Sequence, residues 1–329
     1  MLVLSAQDVR EALPMAEAIA AMKRAYAALA AGRAEMPLRA QLPVAPHEAV
    51  SLFMPAFVQD EAGDALAVKV VSVFPHNVDK GLPLIHAAVL VLEAETGRPL
   101  TLLEGGTLTA IRTGAGAGAA TDLLARPNSH VAAIFGAGVQ ARTQLEAVCT
   151  VRPIEKVWVY DPNPERAAAF AAEMPGQGMI TQDVQTAVSP QQAVAQADII
   201  CAATTSLTPV FADADLLPGV HINAVGSYLP QMQEIPAATV ARALVVVDSR
   251  EASLAETGDL IQPINAGLFT ADHIHAELGE LLLGVRPGRA DAAQITYFKS
   301  VGVAVQDAMA AQLALTRARH LGLGQQVNW

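Results

Sequence analysis

The chain has 329 residues, a formal net charge of −11 and 52% apolar residues. This length is enough for two ordinary domains with real hydrophobic cores. The acidic balance argues against a nucleic-acid surface, which needs clustered Lys and Arg, and no apolar run approaches the ~18 residues of a membrane span.

The amino-terminal segment and the cysteines both favour a cytoplasmic location. The segment MLVLSAQDVREAL has no basic region before a long apolar core, and it contains Asp8 and Glu11, so it is unlike a signal peptide. Cys149 and Cys201 each lie in apolar sequence, which is typical of small buried hydrophobes. The close histidine pair in HIH, 273–275, has no neighbours that complete a ligand set, so we expect no metal.

The first third of the chain predicts a helix followed by a meandering sheet. Residues 15–31 carry apolar side chains at helical spacing, so an amphipathic helix is predicted to open the chain. After it, short apolar runs alternate with turn-forming residues, which predicts strands. These runs are 50–54, 66–73, 86–93 and 99–103.

The rest of the chain predicts a different architecture. Residues 105–125 are typical of a long helix of small residues, and the tail 295–322 predicts one further long helix. Between them, apolar strands alternate with helical segments, which indicates a parallel sheet with crossover helices. The predicted strands are 131–135, 156–160, 197–203, 220–225 and 243–248.

A dinucleotide-binding motif lies at the start of this alternation. Gly136, Gly138 and Ala141 match G-x-G-x-x-A directly after the strand VAAIF, and the next strand, KVWVY, ends at Asp161. The glycines let backbone approach a pyrophosphate at a helix N-terminus, and the acid accepts hydrogen bonds from ribose hydroxyls. Asp161 favours NAD over NADP because a carboxylate repels a 2′-phosphate, although Arg166 could soften that preference.

A second match to the motif, Gly114, Gly116 and Ala119, follows no apolar strand. Glycines inside a helix cost about 1 kcal/mol each relative to Ala. We expect their benefit to be close packing, in which another backbone or a ligand approaches the helix.

Three cations stand in apolar or small-residue surroundings, namely Lys69 in a strand, Arg112 in the glycine-rich helix and Arg39 in MPLRAQLP. Each has an ordinary interpretation as a snorkelling, ion-paired or solvated side chain. Together they suggest a carboxylate-binding pocket, because Arg can grip a carboxylate with two hydrogen bonds. A desolvated Lys suits proton transfer or polarisation of a C=O or C=N bond.

At these residues the chain resembles the ornithine cyclodeaminase and mu-crystallin family. The matching stretches run in order from about 37 to 307. They are KVVSVFPHNVDKGLP, LEAETGRPLTLLEGGTLTAIRTGAGAGAAT, IFGAGVQARTQL, INAVGSYLPQMQEI, ETGDL, GELLLGVRPGR and FKSVG.

The resemblance implies an α/β protein in which a Rossmann dinucleotide-binding domain, 118–303, is inserted into an α+β substrate and dimerisation domain, 1–117 plus 304–329. It implies a homodimer, Lys69 and Arg112 as catalytic-pocket residues, and Arg39 as a third carboxylate contact. The cofactor contacts that it implies are Thr113, Gly136, Gly138, Val139, Gln140, Asp161, Thr204, Val225, Gly226, Ser300 and Gly302.

One departure from the family pattern bears on the reaction. Cyclodeaminases have an aspartate two residues after the glycine of NAxG, whereas this chain has Tyr228 there. A tyrosine, with an ordinary pKa of about 10, is a poor base at neutral pH, although it can contact a substrate. The GSY form is more similar to members that reduce imines with NAD(P)H. His86, which begins a strand, is either a structural histidine or a further pocket residue.

The sequence therefore predicts NAD(P)H-dependent reduction of a 2-imino acid, most simply Δ1-pyrroline-2-carboxylate to L-proline or Δ1-piperideine-2-carboxylate to L-pipecolate. NAD is the expected cofactor, with NADP as an alternative. Three other functions stay open: cyclodeamination of ornithine, reduction or reductive amination of a linear imino or oxo acid, and binding without catalysis.

Overall fold

The computed structural model describes residues 1–328, apart from the side chain of Val78. The first elements are β1 (Leu2–Leu4), α1 (Ala6–Ala12), α2 (Met15–Ala30), β2 (Ala34–Glu35), β3 (Ala40–Val44), β4 (Ala49–Val58), β5 (Ala65–Val73), β6 (Ile85–Leu92), β7 (Pro99–Glu104) and α3 (Gly105–Leu124). There follow β8 (Val131–Phe135), α4 (Val139–Val151), β9 (Lys156–Tyr160), α5 (Pro164–Glu173), β10 (Val184–Thr186), α6 (Pro190–Val194), β11 (Ile199–Ala202), β12 (His221–Ala224), α7 (Ala237–Arg242), β13 (Leu244–Val247), α8 (Arg250–Glu256), α9 (Gly258–Asn265), β14 (Ile274–Glu277), α10 (Leu278–Leu282) and β15 (Thr296–Lys299). The last elements are α11 (Ala304–Leu321) and β16 (Gln325–Gln326).

The chain divides into two units. Met1–Arg112 and the chain from Ala304 onward form the flanking unit, and Thr113–Val303 form the inserted unit. Helix α3 begins in the flanking unit and ends in the inserted unit. The first predicted domain boundary, after residue 117, lies in the same helix, and the second predicted boundary follows residue 303.

The flanking unit contains a mostly antiparallel sheet of order β16-β1-β7-β6-β5-β4-β2, with β3 paired to β4. The four predicted strands correspond to β4, β5, β6 and β7, so the meander is confirmed. The expectation that a helix opens the chain is wrong, because β1 and α1 precede α2. The start of α1 is fixed by a capping box in which Ser5 and Asp8 satisfy each other's backbone N–H groups.

Two helices cover the sheet of the flanking unit. Helix α11 contacts α2, β4 and β5. Ile19, Met22 and Tyr26 of α2 are almost fully buried, as their helical spacing predicted. Because α11 runs across β5, side chains of the two elements meet in the interior of the unit.

The inserted unit contains eight parallel strands in the order β10-β9-β8-β11-β12-β15-β13-β14. The predicted parallel sheet with crossover helices is therefore confirmed, and the five predicted strands lie within two residues of β8, β9, β11, β12 and β13. In such a sheet, ligands bind beyond the carboxyl ends of the strands where the strand order reverses. Here the reversal is at β8, which has β9 on one side and β11 on the other.

The predicted single helix over 295–322 is wrong in its first part. Thr296–Lys299 form strand β15, which is fully buried between β12 and β13, and the helix begins only at Ala304. An aromatic pair, Tyr297 and Phe298, favours a strand, and Gly302, with φ of +84°, interrupts any helix between them and α11.

Close packing explains the first glycine of the second motif. A Cβ at Gly114 would lie 2.4 Å from the carbonyl oxygen of Thr143 in α4. The expected approach of another backbone to α3 is confirmed at this position.

Candidate active site

Lys69 is enclosed in the flanking unit although its side chain carries an ammonium. It lies in the middle of β5 and is 2% exposed. The alternation along β5 directs its odd-numbered residues into the interior, where α11 covers them. An ammonium in such a place requires a charge partner.

Asp307 of α11 supplies that partner and links Lys69 to Arg112. Asp307 Oδ2 lies 2.7 Å from Lys69 Nζ, and Asp307 Oδ1 accepts a hydrogen bond from Arg112 Nε at 3.0 Å. All three side chains are buried. Two cations therefore share one carboxylate, and the cluster retains a positive charge suited to an anionic ligand.

The plane of the Arg112 guanidinium is fixed by a second hydrogen bond. Arg112 Nη1 donates to Gln306 Oε1 at 3.0 Å, and Gln306 Nε2 donates to the hydroxyl of Tyr26 at 2.7 Å. Three helices, α2, α3 and α11, thus hold one guanidinium. Such preorganisation suits a group that must bind a carboxylate in one orientation.

The pKa of Lys69 is lowered from its ordinary 10.5 to about 8. Burial is the main cause, and the positive charges of Arg112 and Arg39 act in the same direction, while Asp307 opposes them. Arg39, which precedes β3 and is half-buried, is thus close enough to act electrostatically on Lys69. The three cations singled out in the sequence contribute to one electrostatic environment.

The structure does not bring His86 to this cluster. His86 is exposed in β6 and pairs directly with Ser72 of β5, whereas Lys69 pairs with Val89. Directly paired residues share a sheet face and the face alternates along a strand, so His86 and Lys69 lie on opposite faces. The strand that His86 begins does pair with the strand of Lys69, and a pocket role for His86 stays a prediction.

The glycine-rich loop of the inserted unit forms a cradle for a phosphate. Gly136 has φ of +89°, and a Cβ there would lie 2.6 Å from the carbonyl oxygen of Ala203. A Cβ on Gly138 would meet nothing within 4 Å, and α4 begins directly after it without a side-chain cap. The first turn of α4, which includes Val139 and Gln140, thus presents open backbone N–H groups of the kind that bind phosphates.

A cavity of about 640 Å³ adjoins this loop. It is lined by the glycine loop, by the residues that follow β9, and by residues 203–206 after β11. Asp161 accepts hydrogen bonds from the N–H groups of Ala137 and Asn163 at 3.0 and 2.9 Å. The carboxylate is therefore fixed in the cavity wall beside the loop, with Arg166 in the same wall, so these residues fit a dinucleotide.

The remaining predicted cofactor residues follow the carboxyl ends of the central strands. Thr204 follows β11, Val225 and Gly226 follow β12, and Ser300 and Gly302 follow β15. Ser300 is 3% exposed and its hydroxyl donates to Asp248 at 2.8 Å, so this side chain already has a partner inside the protein.

Two further predicted residues have distinct surroundings. Thr113 is buried, and its carbonyl oxygen accepts a hydrogen bond from Gln144 Nε2 of α4 at 3.3 Å. Tyr228 is 37% exposed in the inserted unit, and burial of its remainder raises the pKa of its hydroxyl. Tyr228 therefore stays protonated at neutral pH.

Sequence reasoning missed Asp307, Gln306 and Tyr26. The available signal was an acid and two amides in AVQDAMAAQLAL, which is otherwise apolar. Within residues 1–328, no three His, Cys, Asp or Glu side chains are placed to hold a metal ion. His273 and His275 instead contact the carbonyl oxygens of Val240 and Pro287.

Within residues 1–328, no helix is both long enough and apolar enough to cross a membrane.

Comparisons with known proteins extend over the whole chain. It is 43% identical over 330 residues to Δ1-pyrroline-2-carboxylate reductase of Bacillus cereus, with 100% of both chains covered. The solved structure of Δ1-pyrroline-2-carboxylate reductase of Thermococcus litoralis, in complex with NADH and L-proline, matches with a TM-score of 0.94 and 45% identity over 99% of this chain and 100% of that one.

An archaeal alanine dehydrogenase dimer with bound NAD is a more distant match, with a TM-score of 0.91 and 31% identity over 100% of this chain and 99% of that one. The model of the ornithine cyclodeaminase/mu-crystallin family matches residues 1–321. The chain belongs to the ornithine cyclodeaminase/mu-crystallin family.

Proposed function

We propose that the chain is an NAD(P)H-dependent reductase of cyclic 2-imino acids, which converts Δ1-pyrroline-2-carboxylate to L-proline, Δ1-piperideine-2-carboxylate to L-pipecolate, or both. The observation that carries the proposal is the similarity of the whole chain to Δ1-pyrroline-2-carboxylate reductases. The cluster of Lys69 and Arg112 around the Asp307 carboxylate supports it. NADH, when bound, supplies the hydride that reduces the C=N bond.

In this proposal Arg112 binds the substrate carboxylate and Arg39 adds a second positive charge. Asp307 and Gln306 each accept a hydrogen bond from Arg112, so the guanidinium is oriented before substrate arrives. A substrate held in one orientation reacts faster because less ordering remains to be done in the transition state.

Lys69 holds the proton that the imine nitrogen needs. A protonated imine is the better hydride acceptor, and addition of one hydride and one proton across C=N gives the amine. An ammonium with a pKa of about 8 is largely charged at neutral pH and gives up its proton more easily than an ordinary lysine.

The state of Tyr228 favours reduction over cyclodeamination. The expected cyclodeaminase acid at this place would handle an amine or a nucleophile as a base. A tyrosine whose pKa is raised by burial can donate a hydrogen bond to substrate but does not accept a proton at neutral pH.

The test follows NADH absorbance with purified protein. Δ1-pyrroline-2-carboxylate, Δ1-piperideine-2-carboxylate, and pyruvate with ammonium are offered separately, and L-ornithine with NAD is assayed for ammonia release. We expect rapid NADH loss with a cyclic imine and no ammonia from ornithine. Ammonia release without net NADH change would instead indicate a cyclodeaminase, and activity with pyruvate alone a linear substrate.

Lys69→Ala is expected to abolish turnover while NADH binding by calorimetry stays close to wild type. Arg112→Lys keeps the charge but loses the fork geometry, so KM for the imine rises and kcat falls. Retention of most activity in Lys69→Ala would contradict the role given to Lys69.

We further propose a cytoplasmic homodimer. The archaeal alanine dehydrogenase structure is a dimer, and the flanking unit exposes Leu38, Leu42, Leu82 and Ile85, which is a suitable surface for a second copy. Both thiols are free and buried, which accords with a reducing compartment. Light scattering during size-exclusion chromatography tests the dimer, and a monomer at working concentrations would contradict it.

A further inference from the structure

Glu234 lies outside the cavity wall, yet it contacts two of the loops predicted to bind the cofactor. It is fully buried between β12 and α7. Its Oε1 accepts hydrogen bonds from the backbone N–H and the hydroxyl of Thr204, at 2.6 and 2.8 Å. Its Oε2 accepts from the N–H groups of Gly226 and Ser227, at 2.6 and 3.0 Å. One carboxylate therefore joins the loops that follow β11 and β12.

Thr204 is the point at which these loops meet the glycine-rich loop. A Cβ at Gly226 would lie 2.0 Å from the Thr204 carbonyl oxygen, and a Cβ at Gly136 would lie 3.2 Å from Thr204 Cγ2. Thr204 itself lines the cavity of about 640 Å³. A displacement of Thr204 would therefore change the wall of the cavity and the space beside the glycine-rich loop.

The backbone of Glu234 is held as firmly as its side chain. Its N–H donates to Asp259 Oδ1 at 2.7 Å, and its carbonyl oxygen accepts from the N–H of Val210 at 2.8 Å. Asp259 is also fully buried, with its Oδ2 accepting from the Tyr297 hydroxyl at 3.1 Å and lying 3.5 Å from Lys299 Nζ. Asp259 of the stretch ETGDL thus holds the backbone of Glu234, and Lys299 of FKSVG lies beside Asp259.

Three backbone N–H groups and the Thr204 hydroxyl face Glu234, and each of its two oxygens faces at least one N–H group that it must accept from. Burial raises the pKa of Glu234 and the negative charge of Asp259 acts in the same direction, while the positive charge of Lys299 and the hydrogen bonds from Thr204 oppose that rise. A glutamine at this place would turn its NH₂ group toward N–H donors at one of the two loops, because the amide has only one acceptor oxygen. The bridge between the loops thus depends on the carboxylate.

We infer that Glu234 is a positioning residue for the dinucleotide, which sets the cofactor-binding shape of the 204 and 226 loops through Thr204 and Gly226. The inference rests on the proposed NAD(P)H-dependent function. Glu234 does not line the cavity, so in this inference it acts through Thr204, which does. This inference adds Glu234, which lies outside the glycine motif, to the residues proposed to act in cofactor binding.

The test compares Glu234→Gln and Glu234→Asp with wild type. Aspartate keeps the negative charge opposite Lys299 but is one methylene shorter, so it cannot span both loops. We expect both folded variants to bind NADH at least about tenfold more weakly by calorimetry, since one lost bond to a buried charged group has an effect of that order. KM for NADH should rise, whereas KM for the imine should change by less than about twofold.

Thr296→Val is the matched control. Thr296 is equally buried in the inserted unit, but it begins β15 and contacts His221 Nδ1 at 2.9 Å, at the amino end of the strands. This variant should unfold more easily and yet bind NADH as wild type does. Hydrogen exchange should be faster at the Thr204 and Gly226 amides in Glu234→Gln and unchanged there in Thr296→Val.

The outcomes separate the inference from the function on which it rests. If wild type binds no NADH, the proposed function fails. If wild type binds NADH and both Glu234 variants bind it within about twofold, the positioning role is wrong. If neither Glu234 variant folds, or if both KM values rise together, Glu234 has a general structural role and the inference is overturned.

Discussion

Lys69 Nζ and Asp307 Oδ2 form an ion pair of 2.7 Å in which both side chains are 2% exposed. The two residues lie on different elements, β5 and α11, and come from opposite ends of the chain. The same carboxylate holds Arg112, so Asp307 both raises the pKa of Lys69 against the effect of burial and helps to orient the guanidinium.

The first prediction is that kcat/KM for the imine falls as the pH rises through about 8. The proposed mechanism requires the protonated form of Lys69, which is present below the pKa of about 8 and lost above it. Initial rates at low imine concentration and saturating NADH measure the profile. Lys69→Arg is the control: an arginine stays charged, so the alkaline fall should move to higher pH even if the rate is reduced. If the alkaline fall of kcat/KM were unchanged in Lys69→Arg, the titration of another group would cause it.

The second prediction concerns Asp307→Asn. Because Asp307 raises the pKa of Lys69, its neutralisation should move the alkaline fall of kcat/KM to lower pH. It should also lower the free energy of unfolding by about 3–5 kcal/mol, since two buried cations lose their partner. Denaturant titration measures this loss.

Glu17→Gln is the matched control for that loss. Glu17 pairs with Arg317 of α11 at a half-exposed position, where a salt bridge contributes about 0–1 kcal/mol. Equal losses in the two variants would mean that Asp307 acts as an ordinary surface partner and does not organise the cluster.

The sequence singled out Lys69 and Arg112 but not the carboxylate that holds them together. Lys69, Arg112 and the glycine loop carry local signals, namely a charge in an apolar strand, a long cation among small residues, and fixed spacing after a strand. Asp307 is an acid in an apolar stretch, but its significance arises only when α11 packs on β5. Glu234 was missed for the same reason: its partners lie in the loops after β11 and β12 and in α9.

The tail shows a related limit. A single helix was predicted over 295–322, but the parallel sheet places a strand between β12 and β13, and Thr296–Lys299 are extended there. Tertiary pairing here overrides a local pattern. The alternation from 131 onward was predicted well because each strand there is a buried apolar run bounded by turns.

The third prediction is a change of cofactor preference in Asp161→Asn. The carboxylate lies in the cavity wall with Arg166, and a 2′-phosphate there would face a negative charge. Removal of that charge should raise the ratio of kcat/KM with NADPH to kcat/KM with NADH by about tenfold or more.

The double variant Asp161→Asn/Arg166→Ala should lose most of the gain, since the phosphate then lacks a cation. A ratio within about twofold of wild type in Asp161→Asn would show that another residue discriminates between the cofactors.

The fourth prediction is that His221 makes the inserted unit sensitive to acid. His221 is fully buried, contacts Thr296 Oγ1 and Asn223 Oδ1, and has its pKa lowered by burial to about 3. Between about pH 6.5 and 3 the unfolded chain binds a proton at this histidine and the folded chain does not. Its contribution to stability is therefore complete above pH 6.5 and decreases as the pH falls, by up to about 1.4 kcal/mol per pH unit.

His221→Gln should be less stable near neutral pH, but its denaturation midpoint should fall less steeply than that of wild type between about pH 6 and 4. His320→Gln, at an exposed position in α11, is the control and should follow wild type. Parallel pH profiles for wild type and His221→Gln would mean that the buried imidazole does not account for acid sensitivity.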